Sequence, residues 1–135
     1  NKRRKIMAEL FLRAFLGHLI GDYLLQTDKM AFNKKNPGWK GSSACFFHCL
    51  TYTIPVCLFL WTSNWLVWVT IFISHYAIDR TKFVSWWMEK IKGFSFQKAN
   101  TGGPFLISMF AFLSVVVDNS FHFLFTWLII KLFLI

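Results

Sequence analysis

The sequence predicts an all-α fold: an integral membrane bundle of four transmembrane helices, forming a single domain over residues 1–135. Composition is the first reason. The chain is 56% hydrophobic and 20% aromatic, with mean hydropathy +0.46. Charged residues make up 16%, against about 25% in ordinary soluble domains. Seventeen Phe and seven Trp exceed what one small core can hide, because a small domain has too much surface for its volume. Lipid covering the outside resolves the excess. The second reason is the punctuation. Basic, breaker-rich stretches such as Asn33-Lys34-Lys35-Asn36-Pro37-Gly38 separate the apolar runs.

The elements follow in order. The first helix is expected over 6–25. No small-residue cleavage site follows this run, so it reads as the first span and not as a signal peptide. Asn1 to Ile6 is a basic lead, and Met7 could serve as a start. Glu9 and Arg13, four apart, can neutralise each other on the side away from His18 and Asp22. A loop over 32–41 leads to a second helix at 42–61, capped by Ser42 or Ser43, with Pro55 expected to kink it. Thr62 to Asn64 make a tight turn. A third helix covers 65–90 and ends on Trp86 and Trp87, which suit a membrane interface. After a polar loop over 93–103, Pro104 opens a fourth helix, 104–135. Its 32 residues would span about 48 Å, longer than a hydrocarbon core of about 30 Å. That helix must tilt, protrude or break, with Asn119 and Ser120 the candidates for an irregularity.

The net charge of +9 would suggest nucleic acid in a soluble protein. Here no basic face alternates with exposed aromatics, so no nucleic-acid partner is expected. The cations fall between apolar runs, where they suit topology and anionic headgroups. The expected location is a bacterial inner membrane with the two basic loops cytoplasmic, although the lead at Lys2 to Lys5 argues the other way. The bilayer is the expected partner; a homo-oligomer stays open. Cys45, Cys49 and Cys57 share one helix and cannot build a disulfide framework. They read as small apolar residues, with a Cys45–His48 metal pair as the rival.

The chemistry lies in spacing. His18 and Asp22 are four apart, as are His75 and Asp79, and Asp118 and His122 repeat the interval in reverse order. A helix puts such residues on one face. The first and third helices run one way and read His then Asp; the fourth runs oppositely and reads Asp then His. The imidazoles should therefore share one layer and the carboxylates the next, about 6 Å away. His48 falls at a matching depth on the second helix.

Ionisable groups inside a bilayer need pairing, water or a metal, at about 2.5–3.5 kcal/mol each for Asp at mid-helix. Three readings stay open. His18, Asp22, His48, His75, Asp79, Asp118 and His122 could ligate one or two divalent ions, Zn first, with Fe or Mn also fitting. Asp22, Asp79 and Asp118 would then be ligands or general bases of a metal-dependent hydrolase. Alternatively the set relays protons or ions. Or the pairs only glue helices together. Gln26, Lys29, Arg80 and Lys82 would lie near the loop-side mouth, where Gln26, Arg80 and Lys82 are candidates to hold a lipid or phosphate-bearing substrate.

Together GHLIGDYLLQTDKMA, HCLTYT, SHYAIDRTKF and VDNSFH resemble a family of small polytopic membrane proteins of bacteria and phages, known only as a domain of unknown function. The likeness runs from Met7 almost to the end. It implies no activity. More distantly, the layout looks like membrane proteins described as metal-dependent hydrolases, which also carry His and HxxxD in apolar helices.

Overall fold

The computed structural model describes residues 2–135, and these are helical with no strand among them. α1 (Lys2–Leu19) runs into a π-helical turn at Ile20–Leu24. After it come α2 (Asp28–Asn33), α3 (Gly38–Phe59), α4 (Trp65–Arg80), α5 (Phe83–Lys90), α6 (Phe96–Thr101) and α7 (Pro104–Phe133).

Four helices form the bundle. α3 packs on α1 and α4, and α7 packs on α4 and α1. One apolar cluster joins Met7, Leu10 and Ala14 of α1 to Val56 and Cys57 near the end of α3. It also takes in Val67 and Ile71 early in α4 and Ile129 and Ile130 late in α7. Starts of α1 and α4 therefore lie beside ends of α3 and α7, so neighbours are antiparallel. A second cluster at the other end unites Ile78, Val84, Met88 and Val117, with Phe83, Trp87 and Phe121 around them. The layer between the two clusters carries the histidines.

α1 and α3 touch through glycine. A Cβ on Gly17 would lie 2.6 Å from the Val56 Cα, and one on Gly21 2.7 Å from the Tyr52 Cα. No side chain fits there without moving a backbone. Small residues four apart that admit a neighbouring helix are a packing device of membrane helices.

Several boundaries differ from those the sequence suggests. The first helix does not stay α-helical to 25; the Leu25 amide donates to the Ile20 carbonyl five residues back. The second starts at Gly38, after Pro37. Ser42 and Ser43 are not its caps, since their hydroxyls donate back to the Gly38 and Lys40 carbonyls inside the first turns. The third is interrupted at Thr81, which turns extended (φ −93°, ψ 169°). Its hydroxyl donates to the Ala77 carbonyl and accepts from the Phe83 amide, a local competitor to helical bonding. The fourth passes Asn119 and Ser120 without a break, and both side chains donate to carbonyls one turn back. A short helix, α2 capped by Thr27, leads into the first polar loop, and another, α6 capped by Ser95, lies within the second.

Two helices, α3 and α7, are long and apolar enough to cross a membrane, with hydropathies of 1.4 and 1.6. α4 has 16 residues, and α1 carries its charges at Lys2, Arg3, Arg4, Lys5, Glu9 and Arg13.

Candidate metal centre

The bundle brings the three spaced pairs and His48 to one place. Asp79, 1% exposed, is the hub. Its Oδ2 lies 2.9 Å from His48 Nε2 and 3.3 Å from His75 Nε2. It also accepts from Lys34 Nζ at 2.8 Å. Its Oδ1 lies 3.6 Å from His122 Nε2. The Nε2 atoms of His48 and His75 are 3.0 Å apart. Asp22 Oδ1 approaches both, at 3.3 and 3.5 Å. On the far side, Asp118 Oδ2 is 3.3 Å from His122 Nε2.

The π turn bears on this arrangement. It adds a residue to one turn of backbone, a feature that recurs at functional sites. Asp22 sits within it and reaches His18 with one oxygen, at 3.4 Å, and His48 and His75 with the other. Gly21, beside Asp22, lets the turn lie directly on Tyr52.

Several buried polar atoms here have no hydrogen-bond partner: Asp22 Oδ1, Asp79 Oδ1 and His122 Nε2, with His48 Nδ1 and His75 Nδ1 behind. Stranding such atoms is costly, about 1–3 kcal/mol each. Three groups have ligand atoms all within 4.8 Å of one another: Asp22–His48–His75, Cys49–His75–Asp79 and Asp79–Asp118–His122. These groups could hold a metal ion. Tetrahedral coordination at the usual zinc–nitrogen and zinc–oxygen distances gives ligand–ligand edges of about 3.3 Å. The triangle Asp22 Oδ1, His48 Nε2, His75 Nε2 has edges of 3.0, 3.3 and 3.5 Å, so it matches one face of such a polyhedron.

His18 stands apart from the three groups. Its Nδ1 meets the Tyr52 hydroxyl at 3.1 Å and its Nε2 meets Asn119 Oδ1. Tyr52 in turn stacks on His75, centroids 3.7 Å apart. The Gln26 amide, oriented by its neighbours, accepts from Lys34 Nζ at 3.0 Å and donates to the Asp22 carbonyl. Arg80 donates to Ser42 Oγ at 3.3 Å. Lys82 is exposed ahead of α5 and makes no ion pair among the described residues. Cys49, and not Cys45, is the thiol that reaches His75 and Asp79.

Lys34, Asn119 and Tyr52 are participants that spacing did not single out as site residues. Lys34 sits in a breaker-rich stretch, where a cation reads as solvated. Burial would lower the pKa of its ammonium, but Asp79, with Asp118 and Asp22 behind it, outweighs burial and holds it above the usual lysine value. A signal for the helix contact was present in Gly17-x-x-x-Gly21, which lies within the same stretch as His18 and Asp22.

Access is from the Lys34 side. Side-chain exposure is 22% at Asp118, 15% at Lys34 and 12% at Asp22, but 2% or less at His48, His75, Asp79 and His122. A cleft of about 620 Å³ opens beside α2, lined by Lys29, Lys40, Thr27, Ser43, Met30 and Phe47 among others. None of the seven His and Asp residues lines it.

Fold and site thus define a helical bundle with a buried His/Asp cluster suited to a metal ion. The chain belongs to the family described as protein of unknown function (DUF3307), which matches residues 10–133. No curated protein and no solved structure matches it.

Proposed function

We propose that this protein is a four-span integral membrane bundle with an intramembrane divalent metal centre, and that it is a metal-dependent hydrolase. The observation that carries the reading is the convergence of His48 Nε2, His75 Nε2 and Asp22 Oδ1 at coordination spacing, with Asp79 Oδ2 on the same two nitrogens. Imidazole with carboxylate suits Zn, Fe or Mn. A bound ion of this kind lowers the pKa of a coordinated water and so supplies a nucleophile near neutral pH.

The residues divide the remaining work. Tyr52 and Asn119 fix the ring of His18, which sits against one oxygen of Asp22. Asp79 is engaged by Lys34 and three histidines, so it holds position. Asp118 contacts His122 alone among the histidines and is the most open of the three carboxylates; it is the one free to take a proton. Lys34, Gln26 and Arg80 offer cations and an amide toward the open side, where a phosphoester or lipid-linked substrate would present its anion.

The membrane reading rests on exposed apolar surface. Only 6% of the apolar window of α7 is buried. Phe105, Phe112, Leu124 and Leu132 are 56–76% exposed. Patches of this kind mark a partner or a lipid phase. Four spans then put the two basic loops on one side, the cytoplasmic one by charge, and the cell membrane of a bacterium is the setting proposed.

The test is metal analysis of the detergent-purified chain followed by a phosphate-release assay on phosphomonoester and lipid-phosphate substrates. At least one equivalent of zinc, iron or manganese is expected, lost in His75→Ala together with activity. Folded protein that takes up no divalent ion would end the reading. One observation favours a relay instead. Contacts of 3.6 Å or less link Asp118, His122, Asp79, His48, His75, Asp22 and His18 without a gap. Proton flux in liposomes by metal-free protein would select it.

A further inference from the structure

We infer that the centre is dinuclear, with a second divalent ion held by His122, Asp118 and the outer oxygen of Asp79; this rests on the metal reading above. The two oxygens of Asp79 face different groups. Oδ2 serves His48, His75 and Lys34, while Oδ1 points to His122 and has no hydrogen-bond partner. His122 Nε2 is also without one, although it lies 3.3 Å from Asp118 Oδ2 and 3.6 Å from Asp79 Oδ1. His122 is 3% exposed and Asp79 1%. These spacings resemble the edges of a coordination polyhedron, about 3.3 Å, without the angles of hydrogen bonds. Lys34 Nζ is held on the other oxygen, Oδ2, and so leaves Oδ1 to His122.

His48 and His75 meet Asp79 through Oδ2, whereas His122 meets it through Oδ1. A carboxylate that offers one oxygen to each of two ions resolves the split, and ions so paired sit about 3.5–4 Å apart. The second ion would lie beside Asp118, the most exposed of the seven His and Asp residues at 22%. A pair of ions there can hold both the attacking and the leaving oxygen of a phosphoryl or acyl group. Asp118 would ligate through the oxygen that faces His122, and its other oxygen would stay available to a proton.

The experiment is a cobalt(II) titration of the chelator-stripped, detergent-purified full chain, read by bound metal and visible absorption. Two equivalents are expected in the unaltered protein and one in both His122→Gln and Asp118→Asn. A manganese(II) spectrum by electron paramagnetic resonance needs no variant and guards against misfolding. Exchange coupling between two ions is expected, and its absence at full loading overturns the bridge. Saturation at one equivalent, unchanged by His122→Gln, overturns the second site and leaves the first standing. Two equivalents retained in both variants place the second ion elsewhere and also overturn it. Folded protein that binds no cobalt at all fails the metal reading itself, a different result from either.

Discussion

α3 and α7 have nearly the same hydropathy, 1.4 and 1.6, yet 44% of the apolar window of α3 is buried and only 6% of that of α7. The difference teaches what the apolar residues are for. α3 is pressed between α1 and α4 and carries Tyr52, Val56 and Cys57 into the core. α7 fully buries a narrow strip, Val117, His122, Thr126, Ile129 and Ile130, half-buries residues such as Phe110 and Phe121 beside it, and leaves Phe105, Phe112, Leu124 and Leu132 exposed. Its ligand candidates lie on or beside that strip. On the membrane reading, lipid is the solvent for the rest, and a polar residue on α7 is tolerable only where the bundle closes over it.

The sharpest way to break the comparison is at the α1–α3 contact. Gly17→Val places a branched side chain where even a Cβ would be 2.6 Å from the Val56 Cα. The backbones must separate, at a cost on the order of 4 kcal/mol or more. The expected outcome is loss of monodisperse folded protein in size-exclusion chromatography, together with bound metal. A monodisperse Gly17→Val with full metal content would show that α3 is not the buried partner described here.

Lys34→Met is expected next. Removing one partner of a buried ion pair costs about 3–5 kcal/mol because the other charge is stranded, and Asp79 is that charge here. Other cations offset the loss, so metal-free protein should lose more thermal stability than metal-loaded protein. Equal losses in the two forms, by a melting curve with and without chelator, would place Lys34 outside the centre. Tyr52→Phe is smaller, about 0.5–1.5 kcal/mol for the lost hydroxyl contact with His18. Metal content should stay unchanged, as the ring still stacks on His75.

Much of the site was legible because i,i+4 spacing survives any detail of packing. His75–Asp79 and Asp118–His122 needed only helix geometry, and reversal of order with helix direction told how they would meet. Asp22 was legible as a member but not in its aim, since a π turn has no sequence signature in a run such as Ile20–Leu24. Thr81 hid the break in the third helix, because a threonine between Arg80 and Lys82 is no breaker by itself and only its two local bonds reveal the interruption. Lys34 was illegible for a different reason. Its pairing with Asp79 bridges forty-five positions of sequence, and nothing local distinguishes a lysine that folds back from one in solvent.

A matched pair of truncations, one of them with the smallest effect expected here, separates the two apolar helices most directly. Val56→Ala on α3 and Leu128→Ala on α7 remove similar chemistry from sites of 0% and 42% exposure. Where lipid replaces water there is little hydrophobic drive between helices, so the cost comes from lost contacts and the cavity left behind. Val56 loses them on every side, and about 1–2 kcal/mol is expected. Leu128 faces a medium that flows into the gap, so a change within about 0.5 kcal/mol is expected. Reversible unfolding in mixed detergent measures both. Equal destabilisation at the two positions would mean that a protein partner or a second copy, and not lipid, covers α7.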